Sequence, residues 1–178
     1  MRFALLVLAI AMAITIYVSN QLVESFVIEN WVTWATITFP IAFFITDLAN
    51  RWFGANAARL VMLAGFAVGV FLSIQFGDVR IGIASGVAFL SGQLLDISIF
   101  DRLRNGALWQ APLISSFVAS LVDTALFYFL AFGAVPLIGW TEAPFPWFQV
   151  GMADFGVKLL MAVLLLPIYL RIVAMVKR

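Results

Sequence analysis

The chain has 178 residues, 65% hydrophobic and 11% charged, with a formal net charge of +1 and a mean hydropathy of +1.11. Soluble domains carry about 45–50% apolar and 25% charged residues, and a globule of this size exposes too much surface to hide the excess, so the composition excludes a soluble fold. Cysteine and histidine are both absent, which excludes disulfides, Cys/His zinc sites, histidine-ligated haem and every nucleophile–histidine mechanism, and the weak net charge, with no basic cluster outside the helix ends, argues against nucleic acid as a partner.

Apolar runs of about 17–25 residues are long enough to cross the hydrocarbon. In chain order they fall at Phe3–Ser19, Trp31–Leu48, Leu60–Phe76, Ile81–Phe100, Pro112–Val135 and Trp147–Leu170. The expectation is an all-α polytopic membrane protein with six transmembrane helices in one domain over residues 1–178. The first run also has the basic start and small residues of a signal peptide; it is read as a retained helix because the span count and the charge asymmetry then agree, and its removal would leave the other five orientations unchanged. Pro136–Pro146, with its three prolines, reads as an ordered lid or loop.

Arg2, Arg51, Arg59, Arg102, Arg104, Arg171, Lys177 and Arg178 fall on one side of these spans, and Arg80 alone on the other. The positive-inside rule then puts both termini in the cytoplasm and Glu24, Glu29, Asp78 and Glu142 outside. Gly65 with Gly69 and Gly82 with Gly86 have the four-residue spacing that lets helices approach closely, which is read as packing rather than substrate contact. Trp31, Trp34, Trp52, Trp109, Trp140 and Trp147 lie near predicted helix ends, as an aromatic belt requires, although each also has a face on which a flat ligand can stack.

The polar residues inside the spans carry most of the information. They are Asp47 in the second run, Gln93 and Asp96 in the fourth, Asp123 in the fifth, and Asp154 with Lys158 in the sixth. An Asp or Lys at mid-bilayer costs about 2.5–3.5 kcal/mol even on the lenient insertion scale, so such groups turn toward the bundle interior or a wet cavity. At a rise of about 1.5 Å per residue, Gln93, Asp123 and Lys158 each lie roughly 17–18 Å from a helix end, at one level near the midplane; Asp47 and Asp96 lie closer to the cytoplasmic face. QLLDISIF (Gln93–Phe100) aligns with SLVDTALF (Ser120–Phe127), and the i, i+3, i+7 spacing sets a polar hook and an aromatic plate on one face of each helix.

Structural readings stand beside these. Asp154 and Lys158 have the i, i+4 order of an ion pair that only neutralises itself. Asp47 has Arg51 four residues on, Asp101, Arg102 and Arg104 read as interface anchors, and Asp123 finds its obvious interhelical partner in Lys158 at the same depth.

FPIAFFITDLANRWFGANAARL (Phe39–Leu60), RIGIASGVAFLSGQLLDISIFDRLR (Arg80–Arg104) and SSFVASLVDTALFYFLAF (Ser115–Phe132) together resemble the queuosine precursor transporter family, the YhhQ-like or VUT group of six-helix membrane proteins. Arg51, and the Ala119–Ser120 pair, depart from the family pattern at positions that bear on selectivity more than on fold. The resemblance implies import of 7-cyano-7-deazaguanine or a related 7-deazaguanine nucleobase across the inner membrane for tRNA modification, and similarity of fold to the substrate-binding components of energy-coupling-factor transporters. A guanine-like edge offers an N–H and an amino group side by side to a carboxylate, and Gln93 can serve an N–H/carbonyl pair.

The candidate substrate-binding residues are therefore Gln93, Asp96, Asp123, Asp47, Phe43, Phe100 and Phe127, with Asp154 and Lys158 gating or coupling the path. Desolvated Asp123 is a candidate proton carrier, whereas consumption of the nucleobase inside the cell would draw uptake without coupling. No cofactor and no enzymatic step are expected, the partners are the small-molecule cargo and lipid, and self-association is left open. The rival reading is a capture subunit serving a separate ATPase, since no GxxxxGK[ST] motif is present.

Overall fold

In a computed structural model the chain is described over residues 2–22, 26–28, 31–73, 79–136, 139–142, 144 and 146–176. Glu24, Glu29, Asp78, Lys177, Arg178 and the predicted end of the third span at Phe76 lie outside those residues. Among the described residues six helices run in order: α1 (Arg2–Gln21), α2 (Trp34–Phe53), α3 (Ala55–Ser73), α4 (Val79–Leu103), α5 (Gln110–Phe132) and α6 (Trp147–Val176). A short antiparallel hairpin of β1 (Phe26–Ile28) and β2 (Val32–Thr33) precedes α2, a small departure from the all-α expectation. Four helices, α1, α4, α5 and α6, are long and apolar enough to cross a membrane. Leu6, Ile10 and Ile14 on α1 and Leu160, Val163 and Leu164 on α6 are exposed, as lipid-facing side chains must be.

The expected loop between the second and third runs is reduced to one residue. Helix α2 continues past Leu48 through Asn50, Arg51 and Phe53, and α3 begins at Ala55. Asn50 is fully buried and donates from Nδ2 to the Ile97 carbonyl at 2.9 Å, which ties this extra turn to α4. Gly54, at φ +85, then makes the corner and closes onto the Asn50 carbonyl at 2.9 Å; a side chain there would be strained.

Helix α2 touches all five others, and the most extensive packing is α4 on α5. Two glycines set the close approaches. A Cβ at Gly65 would meet Met12 Cγ at 2.1 Å, so α3 packs backbone-close on α1. A Cβ at Gly92 would meet Asp123 Cβ at 2.9 Å, which brings α4 against the polar turn of α5. Apolar side chains of α1, α2, α3 and α4 (Met12, Ile16, Ile45, Val61, Met62, Ile97) fill one core, and Leu48, Phe100, Ala111, Tyr169 and Val173 a second. Between α2, α5 and α6 lies a small cleft whose mostly apolar wall carries a few polar side chains.

Candidate functional site

Three helical stripes form the cleft. Helix α2 turns Pro40, Phe43, Phe44 and Asp47 into it, α5 contributes Pro112, Ser116 and Ser120, and α6 contributes Lys158, Ala162, Leu165, Leu166 and Tyr169. The spacing of roughly four residues along each stripe is that of one helix face. Pro40 lacks the N–H that would bond the Thr36 carbonyl, so α2 carries an interrupted ladder where it borders the cleft. The enclosed space is small, about 20 Å³, room for about one water molecule.

Its upper end is an ion network. Lys158 Nζ lies 2.8 Å from Asp123 Oδ2 and 2.7 Å from Asp154 Oδ2, and donates to Thr124 Oγ1 at 3.0 Å. Thr124 in turn donates to Asp154 Oδ2 at 3.0 Å, and Thr36 donates to Asp154 Oδ1 at 2.7 Å. One ammonium thus serves two carboxylates, and two threonine hydroxyls fix the second of them. The side chains of Lys158, Asp123 and Asp154 are 6%, 15% and 7% exposed, so water screens the pairs little. The spacing rule foresaw Asp154 with Lys158, and the depth argument Asp123 with Lys158; the structure joins both to one nitrogen and pins α5, α6 and α2 together.

The lower end is an arginine latch. Arg51 donates from Nε to Tyr169 Oη at 2.9 Å and from Nη1 to the Arg104 carbonyl, and its guanidinium lies 5.3 Å from the centre of the Phe100 ring. Arg104 returns a bond to the Arg51 carbonyl at 3.2 Å and pairs with Asp101 at 3.2 Å. Among the described residues Arg51 makes no ion pair with Asp47, contrary to the i, i+4 expectation, because its fork finds three partners across the interface with α4 and α6. At the far end of the bundle Arg80 donates to the carbonyls of Leu130, Gly133 and Thr141 and stacks 4.9 Å from the centre of the Trp140 ring, so it anchors the segment after α5.

Behind Asp47 runs a buried seam between α2 and α4. Thr46 donates to Gln93 Oε1 at 2.9 Å, Asp47 meets Asp96 side chain to side chain, and Asn50 bonds the Ile97 carbonyl. Of the predicted site residues, Phe43 and Asp47 line the cleft, with Lys158 and, through it, Asp123 and Asp154 at its upper end. Gln93 and Asp96, both fully buried, sit one layer back. Phe100 packs edge-on against Tyr169 at 6.4 Å beneath the cleft, and Phe127 packs with Tyr128 and Phe132 away from it. Sequence reasoning missed Thr36, Thr124, Ser116, Ser120 as a cleft residue, and Tyr169. The signals were the spacing of Ser116, Ser120 and Thr124 at four-residue steps, and the position of Thr36 one turn before Pro40.

Residues 75–172 match the profile of a family described as "Putative vitamin uptake transporter". A "Probable queuosine precursor transporter" of Haemophilus influenzae is 35% identical over 161 aligned positions, covering 77% of this chain and 66% of that protein. A "Queuosine precursor transporter" of Escherichia coli is 30% identical over 159 positions, covering 77% of this chain and 71% of that protein. The chain belongs to the queuosine precursor transporter family. It spans about two thirds of the length of these relatives. The family match extends over α4, α5 and most of α6, the helices that supply Gln93, Asp96, Asp123, Asp154 and Lys158. No solved structure matches the chain.

Proposed function

We propose that the chain is a carrier of the inner membrane, one domain with six spans and both termini cytoplasmic, which imports 7-deazaguanine nucleobases used as queuosine precursors. The observation that carries the reading is the cleft: one carboxylate, Asp47, and two serine hydroxyls between flat apolar walls from Phe43, Phe44 and Tyr169, the mixture of few polar groups and aromatic surface by which small-molecule sites fix orientation. Asp47 accepts the paired N–H and amino donors of the guanine-like edge, and Ser116 and Ser120 serve the opposite edge. Hydrogen bonds to a charged group contribute about 1.5–3 kcal/mol each, and an adenine-like analogue leaves the carboxylate unmatched and is rejected. The Lys158 network closes the cleft toward the outside and the Arg51 latch toward the cytoplasm. With room for about one water molecule in the closed form, cargo enters by parting α2 from α5 and α6. The names of the Haemophilus and Escherichia coli relatives supply the cargo class.

The test is expression in a host unable to make or import queuosine precursors, fed the nucleobase, with queuosine scored in its tRNA. The wild type is expected to restore queuosine at low external nucleobase; Asp47→Asn and Asp123→Asn are expected to lose most of that rescue. No rescue by the wild type would refute the cargo, and full rescue by both variants would refute the site. The capture-subunit reading draws on the vitamin-uptake description of the family profile, and transport by the purified chain alone in liposomes decides against it.

A further inference from the structure

The carboxyl groups of Asp47 on α2 and Asp96 on α4 meet side chain to side chain. Both residues are buried, at 3% and 0% exposure. Neither Asp96 oxygen has a hydrogen-bond donor, nor has Asp47 Oδ1. The surroundings add unmatched groups: Asn50 Oδ1, one turn along from Asp47, is buried without a donor, and Gln93 Nε2, one turn along from Asp96, is buried without an acceptor.

The charged and titratable groups that face the pair can be named helix by helix. Helix α2 supplies Arg51, which acts on Asp47; its Nε and Nη1 go to Tyr169 and the Arg104 carbonyl, and its Nη2 is buried without a partner. Helix α5 supplies Ser115, whose hydroxyl stands beside Asp96 while its own hydrogen bond, at 3.4 Å, goes to the Pro112 carbonyl. Helix α6 supplies Lys158 and Tyr169; Lys158 is committed to Asp123 and Asp154. Helices α1 and α3 meet α2 through apolar side chains such as Met12, Ile16, Val61 and Met62 and, between α1 and α2, the Ser19–Thr38 hydroxyl pair, and bring no described charged group to it. Among the described residues Arg51 is the one cation that acts on the pair, and it acts on Asp47, so Asp96 has none beside it. Ionised carboxylates are acceptors only, so contact between two of them in a buried seam is repulsive unless one proton sits between them.

We infer that Asp47 and Asp96 share one proton, and that this proton is released and regained through the cleft as cargo moves. Asp47 is the outlet, since it lines the cleft, and Asp96 is the sealed partner that holds the proton when Asp47 turns to cargo donors. This assigns coupling to the α2–α4 seam rather than to Asp123, which Lys158 holds at 2.8 Å. The coupling step rests on the carrier reading above; the shared proton does not.

The first measurement is infrared spectroscopy of the purified protein in lipid at neutral pH. The wild type is expected to show the C=O stretch of a protonated carboxylic acid, and Asp96→Asn and Asp47→Asn to lose it, while Asp101→Asn, in the exposed pair with Arg104, keeps it. Absence of the band from the wild type overturns the inference whatever the variants do, as does a band that survives in both seam variants. The second is nucleobase accumulation in liposomes under an imposed one-unit pH gradient, acid outside. One proton per cargo gives up to about tenfold accumulation, because one pH unit is worth a factor of ten; in Asp96→Asn the ratio should fall to about one. Wild-type accumulation indifferent to the gradient overturns the coupling. A wild type that moves no nucleobase at all refutes the carrier reading instead, and the infrared band still decides the proton.

Discussion

Replacement of Lys158 by methionine is the sharpest perturbation of the bundle. The ammonium makes three contacts of 2.7, 2.8 and 3.0 Å, to Asp154, Asp123 and Thr124, and it is the one cation between two carboxylates. Removing one partner of a buried ion pair costs about 3–5 kcal/mol, chiefly because the abandoned charge stays buried. Here two charges are abandoned on one side, although Asp123 at 15% exposure recovers some hydration. We expect Lys158→Met to lose at least about 3 kcal/mol, roughly two orders of magnitude in the folding equilibrium. Asp154→Asn, which leaves the Lys158–Asp123 pair intact, should lose less, about 1–3 kcal/mol. The triple variant Asp123→Asn, Asp154→Asn, Lys158→Met carries no net buried charge and should regain most of the single-variant loss. Reversible unfolding in mixed detergent micelles measures all three. A Lys158→Met protein within about 1 kcal/mol of the wild type, or a triple variant no better than the single one, would refute the reasoning.

Three further predictions concern packing and the latch. Gly92→Ala sets a Cβ 2.9 Å from Asp123 Cβ and 3.4 Å from the Ala119 carbonyl; neither neighbour is a flexible chain end, so α5 is pushed and Asp123 drawn off Lys158, at a cost of about 1–3 kcal/mol with uptake falling alongside. Gly65→Ala meets Met12 Cγ at 2.1 Å and Cβ at 2.7 Å and should separate α1 from α3, at the upper end of that range by the same unfolding assay. Arg51→Lys keeps the charge but not the fork that spans Tyr169 and the Arg104 carbonyl, so it should destabilise almost as much as Arg51→Ala, by about 1–3 kcal/mol; full stability in the lysine variant would show that only charge matters at the latch.

The ion network was legible in the sequence because its two governing facts are local: the i, i+4 order of Asp154 and Lys158, and the common depth of Asp123 and Lys158 along helices of fixed rise. The threonines were not. A membrane-helix threonine often spends its hydroxyl on the carbonyl one turn back, as Thr15 does with Ala11 at 2.8 Å, and nothing in the sequence says that Thr36 and Thr124 turn instead to Asp154. The contact of Asp47 with Asp96 depends on the rotation of α2 about its own axis, which is set by packing of Ala42, Ile45 and Ala49 against other helices. The same rotation aims Arg51 at Tyr169 and away from Asp47. The corner at Gly54 was readable as a helix stop, a glycine directly after RWF, but the charges of Arg51 and Arg59 argued for a loop, and burial of Asn50 against Ile97 won.

On the carrier proposal, the cleft between α2, α5 and α6 selects a guanine-like edge through Asp47. Uptake of a labelled 7-deazaguanine nucleobase into liposomes holding the purified chain alone tests it most directly. Saturable uptake is expected that guanine-like competitors suppress and adenine-like ones leave untouched, and that Asp47→Asn abolishes. Equal suppression by adenine-like competitors, or undiminished uptake in Asp47→Asn, would contradict it.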